Sequence, residues 1–80
     1  MEKEMNIETD IITLGQFLKL ADLIPSGGMA KWFLNEYIVF INDEQDQRRG
    51  RKLVHGDRIR IPEIGEFIIT SKIEKDLENK

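Results

Sequence analysis

Eighty residues contain no cysteine, and that absence limits the fold more than any motif does. Neither a disulfide framework nor a thiolate metal site is available to substitute for a large core. Apolar packing must hold the chain together, and 40% apolar against 34% charged residues is the composition of one compact domain. A core this small leaves no room for a second domain. It also disfavours a deep substrate cavity, because the residues lining one are needed by the fold. Recognition at the surface, without cofactor, metal or small-molecule substrate, is the function class that fits.

Local signals place the elements. Residues 5–13 alternate loosely, with Ile7, Thr9 and Ile11 on one side, and read as an opening strand. Thr13, Leu14, Gly15 and Gln16 form a capping-box pattern, in which the Thr13 hydroxyl accepts from the Gln16 backbone and Gln16 reaches back. A first helix starts there, with Leu14, Phe17, Leu18 and Ala21 on one apolar stripe and Gln16 and Lys19 off its centre. Pro25 disfavours the helical region at Ile24 and leaves Ser26 free to cap a second helix over residues 27–36. That helix turns Ala30, Phe33, Leu34 and Tyr37 to one face and Lys31 and Asn35 elsewhere, and Trp32 reads as partial core. Residues 38–42 and 58–61 read as strands, 43–50 as a polar loop, Gly56 and Asp57 as a turn, and 67–70 as a further strand after a break at 62–65. Together these describe an α+β fold, two N-terminal helices packed on a small, mostly antiparallel sheet of about four to five short strands. Residues 1–80 form a single domain with a core over about residues 12–61 and a charged, fraying tail at 71–80.

Charge is unevenly spread. Within residues 48–60, six basic residues (Arg48, Arg49, Arg51, Lys52, Arg58, Arg60) stand against Asp57, a balance of +5, so a chain of net charge −3 carries −8 elsewhere. With a Debye length of ~8 Å at physiological salt, a phosphate beside that segment responds to it and hardly to the distant acids. No stretch approaches the ~20 apolar residues of a membrane span. Residues 1–10 carry Glu2, Glu4, Glu8 and Asp10, where a secretory signal has a basic start and an apolar run. A cytoplasmic location is expected.

The order and spacing of several residues resemble the S-four RNA-binding domain, a family named after a protein of the small ribosomal subunit and found also in some pseudouridine synthases and tyrosyl-tRNA synthetases. In that family a Ser opens the second helix, followed by an Ala, an apolar pair and a strand closing on Asn; here stand Ser26, Ala30, Phe33 with Leu34, and Asn42. A Gly-Asp pair before a late apolar strand matches Gly56, Asp57 and Ile59. The resemblance covers residues 12–61 and is nearest to small stand-alone bacterial members. Two departures stand out. The basic residue usual after the Ser is Gly27 here, and Tyr37 and Asp43 replace frequent glycines at the strand edges.

The candidate site has two parts. Ser26, Gly27 and Gly28 at a helix start suit an anion, with Lys31 one turn on; the same residues also read as an ordinary cap. Arg48, Arg49, Arg51 and Lys52 around Gly50 read as a flexible clamp for phosphate and exposed bases, or as a solvated run balanced by Asp43, Glu44 and Asp46. The resemblance favours RNA in both cases and adds Gln16 and Lys19, which otherwise read as surface polar residues; Asn42 reads as a turn former or a base-edge contact, and His55 as a structural or exposed residue or a marginal RNA contact. It implies a non-catalytic RNA-binding module for structured RNA, ribosomal RNA first and transfer RNA second, with the ribosomal subunit as a partner. The competing reading is a protein interaction adaptor of the ribosome or of an RNA-processing complex. An enzyme is not expected, since no metal-ligand cluster, phosphate loop or nucleophile motif occurs and the one histidine has no partner at a recognised spacing.

Overall fold

In the computed structural model, residues 2–73 are described. Strand β1, Glu2–Ile7, buries Met5 and Ile7 and exposes Glu2, Lys3, Glu4 and Asn6. The single opening strand expected over residues 5–13 is two, because the chain bends at residues 8–10. The second piece, β2 (Ile11–Thr13), leaves the main sheet and pairs antiparallel with β5 (Lys52–Val54) in a separate two-stranded ribbon. Strands therefore precede the helices, which corrects the expected N-terminal pair of helices. β1 is anchored at the far end of the chain, lying parallel to β7 (Gly65–Ser71) with Glu2 opposite Glu66 and Ile7 opposite Ser71.

Helix α1 (Leu14–Leu20) begins with the predicted capping box. Thr13 Oγ1 accepts from the Gln16 backbone N–H at 3.2 Å, and Gln16 Oε1 accepts from the Thr13 N–H at 2.8 Å. It ends in a Schellman arrangement, with Asp22 left-handed at φ 62°, its N–H donating to Lys19 O and that of Leu23 to Leu18 O. Past Pro25 the expected second helix has two parts, a 3-10 turn at Gly27–Met29 and helix α2 at Ala30–Glu36. Ser26 occupies the capping position in extended conformation, but its side chain makes no capping bond.

The main sheet has five strands in the order β1-β7-β6-β3-β4, where β3 is Phe40–Ile41, β4 Glu44–Gln45 and β6 Arg58–Ile61. All neighbours are antiparallel except β1 and β7. β4 lies inside the expected polar loop. Asn42 and Asp43 both have positive φ, 52° and 69°, the two-residue hairpin geometry that matches strand twist. Gly56, at φ 92°, supplies a turn conformation that a side chain resists.

One face of this sheet contributes Met5, Ile7, Ile41, Ile59, Ile61, Phe67 and Ile69, and the helices contribute Leu14, Phe17, Leu18, Ala30, Phe33 and Leu34, to a single core. Phe17 meets Phe67 edge-on at 5.3 Å, a favoured aromatic geometry. The buried set thus runs from Met5 to Ile69, beyond the expected 12–61. Ser71, at the start of the expected tail, is buried, while residues 74–80 lie outside the described residues. No helix among the described residues is long and apolar enough to cross a membrane.

Candidate nucleic-acid interface

The capping box does more than start α1. It points the first backbone N–H groups of the helix at the basic segment. Leu14 N–H donates to Arg51 O at 2.7 Å and Gly15 N–H to Arg49 O at 2.9 Å, so two groups that a helix start leaves unpaired fix the segment's path. A Cβ at Gly15 would make only ordinary contacts, 3.4 Å from Arg49 O and 3.5 Å from Ala30 Cβ, but a longer side chain would meet the segment there. On the other side β5 lies against β2, with Lys52 opposite Thr13.

An open groove results, lined by Gln16 and Lys19 of α1, Gly27 and Ala30 at the second helix start, and Arg49 and Gly50 of the basic segment. Four predicted site residues, Gln16, Lys19, Gly27 and Arg49, come together here. Lys19, Lys31, Arg49 and Lys52 pair with no carboxylate among the described residues.

Arg48 and Arg51, expected in a flexible clamp, both bond to one carboxylate. Asp46 Oδ2 accepts from Arg48 Nη2 at 2.8 Å and Arg51 Nη1 at 3.0 Å, while Oδ1 accepts from the Arg48 backbone N–H and Nε, each at 3.0 Å. The Asp46 side chain is only 8% exposed. Chiefly the Arg48 guanidinium, helped by the Arg48 backbone N–H and by Arg51, holds its carboxyl well below the usual carboxylate range against the opposing effect of burial. The same contact raises the Arg48 guanidinium above its ordinary value. Asp46 thus offsets part of the positive charge and gives the segment a defined shape.

Ser26 and Gly28 flank the groove on the 3-10 turn, and Lys31 is exposed on α2. Asn42 and His55 do not line it. Asn42 Nδ2 donates to Asp57 Oδ1 and its Oδ1 accepts from the Arg58 N–H, both at 3.0 Å. His55 Nδ1 accepts from the Ser71 N–H at 3.0 Å. Trp32, read as partial core, is 51% exposed, because the buried stripe of α2 runs through Ala30, Phe33 and Leu34.

Besides Asp46, two residues outside the expected site position it. Gly15 carried a helix-start signal and no hint of the segment above it. Gln47 looked like one more polar residue in a loop. Its Oε1 accepts from the Val39 N–H at 2.8 Å, and its Nε2 donates to Leu34 O at 2.6 Å and Tyr37 O at 2.8 Å. That bridge ties the end of α2 to the chain entering the basic segment.

The profile of the S4 domain matches residues 5–70, and the chain belongs to this family. The resemblance given by Ser26, Ala30, Asn42 and the Gly56-Asp57 pair therefore held, over a longer stretch than those residues span. The chain is 58% identical over 71 residues to the Bacillus subtilis (strain 168) protein named "Probable ribosome maturation protein RlbA", covering 89% of this chain and 100% of the relative. No solved structure gives a significant match.

Proposed function

We propose that residues 1–80 form a single, non-catalytic RNA-binding domain of the cytoplasm that acts in ribosome maturation and takes structured ribosomal RNA, ahead of transfer RNA, in the groove between α1, the Gly27 turn and Arg49. Membership of the S4 domain family and the name of the Bacillus subtilis relative support the class of function. The observation that carries the site is the convergence of Lys19 and Arg49, neither paired with a carboxylate, on one groove beside Gly27. Lys19 and Arg49 would take backbone phosphates, and the planar Arg49 guanidinium could also stack on an unpaired base. Arg51 and Arg48, held by Asp46, present their remaining N–H groups from fixed positions, so less side-chain entropy is lost on binding. Lys52, Lys31, Ser26 and Gly28 extend the same side of the molecule.

Filter binding of the purified protein to ribosomal RNA and to transfer RNA across a series of salt concentrations tests the reading. With about four phosphates neutralised, log affinity should fall with log salt at a slope of roughly −3 to −4, and ribosomal RNA should bind tighter. A flat dependence contradicts the groove as an electrostatic site.

A further inference from the structure

A second groove lies at the other end of α2. Glu36, Tyr37, Ile38, Ile61, Pro62 and Glu63 line it. Ile38 is 54% exposed, although it sits between the buried Leu34 and Val39. The charge here is unbalanced in one direction. Helix α2 has no basic residue in its last turn and ends on Glu36, so the negative end of the helix dipole and a carboxylate add where helices usually place a cation. Glu63 brings a second carboxylate from the turn between β6 and β7, and neither acid is ion-paired among the described residues.

We infer that this groove docks a cationic, apolar segment of a partner protein, with an aliphatic side chain on Ile38, Ile61 and Pro62 and Lys or Arg residues against Glu36, Glu63 and the end of α2. Charge complementarity selects that occupant, because an RNA strand or an anionic lipid surface would meet two carboxylates and a helix C-terminus. The inference does not depend on the RNA reading. It uses residues at the opposite end of α2, about 10 Å along the axis of a seven-residue helix from the Ala30 side of the first groove. A domain with both grooves could hold RNA and a basic protein extension together.

The probe is a fluorescein-labelled twelve-residue peptide of alternating Lys and Leu, titrated into the full chain by anisotropy and mapped by 15N amide shifts. Shifts should concentrate on residues 36–38 and 61–64. Glu36→Lys with Glu63→Lys should weaken binding at least tenfold, whereas Glu8→Lys with Glu44→Lys, an equal charge change at exposed positions outside the groove, should alter it less than twofold. Glu36→Lys places a cation at a helix C-terminus, which favours the fold, so a melting temperature that does not fall separates lost docking from lost structure. Equal weakening by Glu8→Lys with Glu44→Lys, or shifts spread over the whole surface, would overturn the inference. So would self-association of the free chain that Glu36→Lys abolishes, because the occupant would then be a second copy.

Discussion

The Asp46 carboxylate lies 3.0 Å from the Arg51 guanidinium and 2.8 Å from that of Arg48, so an acid that seems to dilute the basic segment sets its shape. Because the folded carboxyl titrates below its ordinary 3.8, its contribution to stability is complete above that value. It is lost as pH falls through the lower folded value. The difference in unfolding free energy between the protein and Asp46→Asn should be constant from about pH 7 to pH 5 and shrink below about pH 4. Urea titrations at each pH measure it, and a difference that grows in acid would refute the assignment.

Gln47 predicts a larger structural effect than its loop position suggests. Truncation to Ala leaves the Val39 N–H and the Leu34 and Tyr37 carbonyls without that partner, at a cost of about 2 kcal/mol. Gln47→Glu should be no better at neutral pH, since it keeps the acceptor but turns a carboxylate toward two carbonyls. Denaturant unfolding of both variants provides the check.

Gly15 separates the two demands on the start of α1. Gly15→Ala should be tolerated, because its Cβ would make ordinary contacts at 3.4–3.6 Å and alanine gains up to ~1 kcal/mol of helix propensity. Gly15→Leu should keep the fold, displace Arg49 and lower RNA affinity several-fold. Equal RNA binding by the two variants would show that the path of Arg49 does not matter.

Signals confined to a few neighbouring residues were legible in the sequence. Thr13 and Gln16 sit three residues apart, and the stripes Leu14, Phe17, Leu18, Ala21 and Ala30, Phe33, Leu34, Tyr37 follow helix period; six of these eight residues are buried, and Ala21 and Tyr37 are partly buried against the core. Pairings across the chain were not. Nothing near Glu2–Ile7 indicates that its partner is Gly65–Ser71. The Asn42-Asp43 turn lacks the glycine that marks most two-residue hairpins, which hid β4. Within the site, Lys19 and Arg49 were accessible as charges, but the roles of Asp46, Gln47 and Gly15 depend on contacts that a linear pattern does not contain.

Gly27 offers a gain of function. It lines the groove, its φ is not positive, and a Cβ there would meet nothing within 4 Å. Gly27→Arg would restore the cation usual after the helix-opening Ser. It should tighten RNA binding several-fold and steepen the salt slope by about 0.7–0.9, the increment for one added phosphate. The same filter assay reads both quantities.

Reversing the two groove cations tests the central claim most directly. Ribosomal RNA affinity should be compared for the protein, the double variant Lys19→Glu with Arg49→Glu, and Arg58→Glu, whose side chain pairs with Glu2 at 3.5 Å away from the groove. The account predicts at least a tenfold loss for the double variant with the fold intact, and less than threefold for Arg58→Glu. Equal losses, or full affinity in the double variant, would contradict it.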